Sequence, residues 1–465
     1  MHRYMLVSAY LTRQEAMLAY FERLDAHLAP LGYRLFLVNT GNAPITSTVE
    51  NITLPAYVTL AQILPGKPFI QGETLSPQQQ EGAAAEACRR GLSESTATLK
   101  VLLYTEAMRE IMLRIRPALV LLWLQFDGLH RALDGLCGQW GVPRLFAEYG
   151  SLPGTVVYEA EGQMAESPVA RDSQRFAALP VSDEELERAK TLLERLRVER
   201  HTRRPAGDEN KVQALASRAR AEGRRVLFYA GQNDPMSGML PRSLPNARLH
   251  SPHFESTLDA LDALLHLAEK RNWHVLFKPH PMMEKAHTRF MRPLPERCTL
   301  IPGANIFDAI AHSDVTVTIL SQVSYLALIH KKPCVLLGRN QLTGKACLYE
   351  PEDRDDMGDC INRACAEGFS ASQQSAFVRH AAQMCRYNLF SFTETLRELV
   401  GRGEKETANF LASQVDGHSF PETTGAIASH STAFRGLYAM LRGVEPLLTR
   451  GITLFEGPLK AWYRR

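Results

Sequence analysis

A chain of 465 residues is long for one core, so two domains are the default expectation. With 45% apolar and 22% charged residues it has the make-up of a globular protein. A net charge of +3 is too small to argue for a nucleic-acid partner.

No run approaches the roughly 18 apolar residues of a membrane span. The opening Met1-His-Arg-Tyr-Met-Leu-Val7 breaks into Ser8 and Tyr10 too early for a secretion signal. The eight cysteines are scattered, and the closest pair, Cys360 and Cys365, lacks metal-site spacing. Reduced thiols in a cytoplasm fit best.

In chain order, residues 5–7 and 34–38 read as strands around a helix at 13–29, a βαβ opening. Residues 39–42 then turn. The segment 45–77, rich in Pro, Gly and Thr, suits either a short strand pair or an acceptor loop. Residues 84–116 are strongly helical, 118–124 suit a buried strand, 128–138 a helix and 142–146 another strand. That strand delivers Glu148-Tyr-Gly-Ser-Leu-Pro-Gly-Thr155, where two glycines and a proline permit a sharply turned backbone. Glu148 is there either a catalytic acid or a cap on local amides.

Ser182-Asp-Glu-Glu185 is a capping box that opens a charged helix running to about Arg204, whose charges read as a solvated face. Pro205-Ala-Gly-Asp208 suits an interdomain linker. The expected division is a first α/β domain at 1–204, a linker at 205–223, a second domain at 224–400 and C-terminal helices at 401–465. Residues 441–465 mix Leu, Phe and Trp462 with Arg and Lys. They suit either a membrane-surface contact or packing on the first domain, the latter favoured.

The second domain carries the chemistry. Three apolar strands each release a polar loop. Residues 226–229 lead into Gly231-Gln-Asn-Asp234, 274–277 into Lys278-Pro-His-Pro281, and 315–319 into Ser321-Gln-Val-Ser324. Intervening helical stretches at 256–271 and 305–312 imply a parallel sheet with crossover helices. Ligands of such sheets sit outside the carboxyl ends of the strands. Lys278 supplies a point charge, and His280 can donate to a phosphate or carboxylate oxygen. Ser321 precedes a helix whose free amides favour an anion. Asp234 is either a nucleophile toward an anomeric carbon or an exposed turn residue. The loop 341–350, with Gly344 and Lys345, lies near enough to reach a ligand. Asp353-Arg-Asp-Asp356 reads as a solvated turn rather than a metal motif, so no metal site is expected.

Leu276-Phe-Lys-Pro-His-Pro281 followed by Ser321-Gln-Val-Ser-Tyr-Leu-Ala-Leu-Ile-His-Lys-Lys-Pro-Cys-Val-Leu-Leu-Gly338 resembles the bacterial capsule-polysaccharide synthesis family. The Glu148–Thr155 loop, with Gly162-Gln163 behind it, resembles the retaining β-Kdo glycosyltransferases within that group. The resemblance spans about residues 120–350. It implies an α/β protein with two Rossmann-like domains of the GT-B type, C-terminal helices and CMP-Kdo as the donor. No separate cofactor and no metal are implied. Asp234 would match the nucleophile and Glu148 the second acid. Gly231, Lys278, His280, Ser321, Gln322 and Ser324 would hold the donor. Glu159 stands where the family pattern has an aspartate. The implied partners are the nucleotide-sugar donor and a lipid-linked or oligosaccharide acceptor, with no nucleic acid. The implied place is the cytoplasm, at the inner face of the membrane beside polysaccharide assembly proteins. Three other readings stay open: a CDP-glycerol-type phosphotransferase, a CMP-sialic-acid-type transferase, and a sugar-nucleotide-binding scaffold without turnover.

Overall fold

The computed structural model describes residues 2–41, 43–200, 209–285, 294–415, 420 and 430–446. Contacts divide the chain into two units, Met1–Glu148 with Glu404–Arg465, and Tyr149–Gly403.

In the first unit the strands are β1 (Arg3–Ala9), β2 (Tyr33–Asn39), β3 (Glu50–Thr53), β4 (Leu119–Trp123) and β5 (Arg144–Tyr149). They lie side by side in the order β5–β4–β1–β2–β3, all parallel. Every residue of β4 is buried, as expected of a sheet covered by helices on both faces. The segment 45–77 forms no strand pair. β3 instead extends the sheet beyond β2, and the short helices Ala56–Leu60 and Lys67–Ile70 follow. The strongly helical stretch at 84–116 falls in two helices, Pro77–Arg90 and Glu94–Ile115. Gly91 in the left-handed region (φ 66°) ends the first, and Ser93 accepts the Thr96 amide to begin the second.

The second unit holds β6 (Thr155–Glu159), β7 (Arg225–Ala230), β8 (Trp273–Lys278), β9 (Cys298–Leu300), β10 (Val315–Thr318), β11 (Cys334–Leu336) and β12 (Leu389–Ser391). Five form a parallel sheet in the order β11–β10–β7–β8–β9. β6 and β12 pair antiparallel. Phe228, Leu276 and Leu336 join Ile310, Leu328 and Phe377 in its core. The α/β class expected from the sequence holds, with a parallel sheet at the heart of each unit.

The expected domain break near residue 205 does not coincide with the contacts, which place 149–204 in the second unit. The capping box at Ser182 is formed, and its helix is Asp183–Glu199. That helix is solvated on one side only. Ala189, Leu192 and Leu196 are buried in a core shared with Phe377 and Ala381 of the helix Ala371–Tyr387, and Arg386 holds Glu185 at 2.8 Å. Pro205–Asp208 lies outside the described residues.

In the first unit, Glu404 opens the helix Glu404–Ser413 and is buried against Arg23 at 2.7 Å. The helix 432–446 puts Phe434, Leu437 and Leu441 into the core around Tyr57 and Trp140. Residues 447–465, most of the amphipathic stretch, lie outside the described residues. Among the described residues, no helix is long and apolar enough to cross a membrane.

Candidate functional site

The register of the second sheet brings three loops to one edge. Ala230 at the end of β7 pairs with Lys278 at the end of β8 and with Thr318 at the end of β10. The loop carrying Asp234 therefore leaves the sheet between the loops carrying His280 and Ser321. Gly231 allows the first two to touch: a Cβ there would lie 3.1 Å from Lys278 O and Pro279 Cα and 3.2 Å from His280 N. Its amide donates to Lys278 O at 2.8 Å. This glycine thus serves close backbone approach at the rim where α/β proteins bind ligands.

Asp234 is not an exposed turn residue; its side chain is buried. Its Oδ2 accepts the Thr257 amide at 3.0 Å and its Oδ1 accepts the Thr257 hydroxyl at 2.5 Å. Thr257 is the first residue of the helix Thr257–Arg271, so the carboxylate occupies one of the amides that a helix start leaves open. Burial pushes the Asp234 carboxyl up to about 6, against the lowering pull of the two Thr257 donors. A buried carboxyl with a raised pKa at a sheet rim is a candidate for a chemical role.

His280 Nδ1 accepts the Met282 amide at 3.2 Å, which leaves the ring proton on Nε2 as a donor. Lys278 sends Nζ to Pro302 O at 2.8 Å, fixing its charge beside the β8 exit. Ser321 does not hold the N-cap position of the helix Val323–Ile329. Gln322 does, in helical conformation and without a side-chain cap. Ser321 O instead takes the Ser324 amide, and Ser321 Oγ accepts the Val323 amide at 3.3 Å. Gln322 Nε2 donates to Tyr149 O at 3.0 Å and Gly150 O at 3.2 Å, anchoring the chain that follows Glu148.

Ser324 is fully buried, donating to Ser321 O at 2.8 Å and accepting from Asn340 Nδ2 at 3.2 Å. It shapes the loop that follows β10. Lys345 was expected near a ligand, yet it too points inward, to Val169 O at 2.8 Å and Ser173 Oγ at 2.7 Å. Burial lowers its pKa to about 8. Glu159 is buried at the end of β6, accepting from Ser167 Oγ and Asn388 Nδ2. Glu148 is half-buried on β5, in the first unit. Asp353 accepts the Asp355 and Asp356 amides, closing an exposed turn. Among the described residues, no group of three or more His, Cys, Asp or Glu could hold a metal.

Two features escape sequence reasoning. Thr257 reads in the sequence only as part of the helical stretch at 256–271. His250 Nε2 and Glu166 Oε1 stand 3.1 Å apart, both buried, where His250 O takes the Arg339 amide just past β11. Their separation of 84 residues leaves no local signal.

Residues 246–346 match the family described as "Capsule polysaccharide biosynthesis protein". The chain's resemblance to that family is thus borne out over the segment carrying the His-Pro and Ser loops. The comparison with curated proteins found no match. Among solved structures, the β-Kdo 2,7 transferase KpsC of Thermosulfurimonas dismutans is 19% identical at a TM-score of 0.39. That likeness covers 64% of this chain and 89% of the other. The β-Kdo 2,4 transferase KpsC of the same organism is 16% identical at 0.38, over 57% and 79%. The spinosyn rhamnosyltransferase SpnG is 13% identical at 0.33, over 89% and 99%. At such scores these likenesses bear on neither substrate nor chemistry.

Proposed function

We propose, from the capsule-polysaccharide match of residues 246–346 and the strand-end arrangement around Asp234, that this chain is a glycosyltransferase of surface-polysaccharide synthesis. It serves capsule or lipopolysaccharide O-antigen assembly and moves β-Kdo from CMP-Kdo to a lipid-linked or oligosaccharide acceptor. The observation that supports it most is a buried carboxylate, near neutrality, on the loop flanked by the His280 and Ser321 loops.

In this reading Asp234 attacks the anomeric carbon of Kdo, and CMP departs with the bonding electron pair. The acceptor hydroxyl then displaces Asp234 from the opposite face and gives its proton to a general base, the role that the family resemblance implies for Glu148. Two inversions give overall retention. His280 donates from Nε2 and Lys278 supplies positive charge to the donor's phosphate and carboxylate. Ser321 and the Gly231 backbone line the same rim. The two-unit GT-B arrangement, metal independence and a site of action at the cytoplasmic face of the membrane belong to the same proposal.

The test is incubation with CMP-Kdo and candidate oligosaccharide acceptors, following CMP release and intact mass. The expected result is CMP release with a Kdo adduct on the wild-type chain, both lost in Asp234→Asn. Full activity in Asp234→Ala removes Asp234 as nucleophile. Turnover of CDP-glycerol in place of CMP-Kdo replaces the reading with phosphotransfer, and donor binding without turnover replaces it with a scaffold.

A further inference from the structure

We infer that Thr257 is the positioning residue for Asp234: it locks the carboxylate's orientation through two donated hydrogen bonds and is itself locked by the strand that carries Asp234. The inference rests on Asp234 acting in the reaction proposed above.

Thr257 is fully buried, and its polar atoms meet β7 or the loop β7 releases. Its amide donates to Asp234 Oδ2 at 3.0 Å. Its hydroxyl donates to Asp234 Oδ1 at 2.5 Å. The Gln232 amide donates to Thr257 Oγ1 at 3.0 Å. Tyr229, the penultimate residue of β7, donates its hydroxyl to Thr257 O at 3.0 Å, its ring stacked on Phe277 with centroids 5.5 Å apart.

A threonine hydroxyl has one proton and can otherwise accept. Since Oγ1 already accepts from the Gln232 amide, its own proton is committed to Asp234. The chain Gln232 N–H to Thr257 O–H to Asp234 is therefore directional, and each bond polarises the next. Structural capping of this helix does not require it, because Ser256 Oγ already accepts the Asp259 amide at 3.2 Å. The second pair of bonds is spent on holding one carboxylate. Both donors engage the ionised form, so they also oppose the upward pull of burial on Asp234.

The experiment compares Thr257→Ser and Thr257→Val in the full chain, using CMP-Kdo consumption and the titration of Asp234 by carboxyl-carbon NMR. Serine retains the hydroxyl, and valine keeps the shape without it. We expect Thr257→Ser to stay within a few-fold of wild type. Thr257→Val should lose about 10–100-fold in kcat with KM little changed. The acid limb of its pH profile and the NMR midpoint of Asp234 should both rise by about one pH unit. Serine restoring both values separates positioning from packing. An unmoved Asp234 midpoint in Thr257→Val overturns the inference.

Should Thr257→Val not fold, the unmodified protein decides. The Thr257 and Gln232 amide protons must follow the Asp234 titration, and their indifference to it is equally fatal. If Asp234→Asn keeps full turnover, the catalytic reading fails separately. The NMR midpoints then judge the hydrogen-bonded clamp on their own.

Discussion

Asp127 and Asp234 occupy equivalent places in the two units and are tuned in opposite directions. Each lies four residues beyond a buried strand of a parallel sheet, β4 or β7, and each takes the amide of a helix's first turns. Around Asp127 the chain has gathered charge. Arg89 lies 3.4 Å away, and Lys100 and Arg89 also hold the buried Glu86. Burial works to raise the Asp127 carboxyl, but Arg89, His130 and Lys100 hold it well below the usual range. Around Asp234 the named donors are the neutral amide and hydroxyl of Thr257, and burial prevails. A carboxylate compensated by cations is accounted for as structure, whereas a buried one raised toward neutrality is a candidate for reactivity.

The largest effect that would sharpen this contrast is on turnover. Asp234→Asn should lower CMP-Kdo consumption roughly 10⁴-fold while its thermal unfolding at neutral pH is no lower than wild type. A large loss of stability instead would place Asp234 with Asp127 as a structural group. In the first unit the order of effects reverses. Lys100→Met leaves the buried Glu86 short of a cation and should cost about 3 kcal/mol in urea unfolding, visible as a lower midpoint at unchanged slope.

The next effect is a difference in sign with pH. Asp234 has a raised pKa in the folded chain, so its contribution to stability is full below about 3.9 and is lost as pH rises through about 6. Asp127 has a lowered one, so its contribution is present above about 3.9 and is lost as pH falls further. The stability differences between wild type and Asp234→Asn, and between wild type and Asp127→Asn, should therefore run in opposite directions from pH 3 to 7. Parallel slopes in calorimetry would erase the distinction.

The smallest effect concerns His430, set between Glu73 at 2.6 Å and Glu106 at 3.1 Å. Those carboxylates raise its pKa, the hydrogen bond to Glu106 first. Its contribution is full below about 6.5 and fades as pH rises through the higher folded value. His430→Gln should thus cost about 1 kcal/mol at pH 6 and less at pH 9, followed by thermal unfolding.

Much of the second sheet was legible because strands buried on both faces read as uninterrupted apolar runs. Residues 226–229, 274–277 and 315–319 each ended in polar residues that marked the rim. The edge strand β9 and the antiparallel β6–β12 pair were not. Three to five residues with partners far away in sequence carry too little pattern. The cap at Ser182 was readable because the side chain and the amide it takes lie three residues apart. The inward turn of Ser324 and Lys345 was not, since Asn340, Val169 and Ser173 reach them only through the fold.

By itself the sequence determined the α/β class, the strand-end positions of Asp234, His280 and Ser321, and the likeness to a capsule-polysaccharide family. These follow from local periodicity and from short motifs, which do not need distant partners. Tertiary structure alone decided which polar side chains face inward, where the units divide, and that Asp234 is held by Thr257. Burial and hydrogen-bond partners depend on residues 23 positions apart for Asp234 and 176 for Lys345, and a carboxylate's ionisation is a property of those surroundings rather than of its own place in the chain.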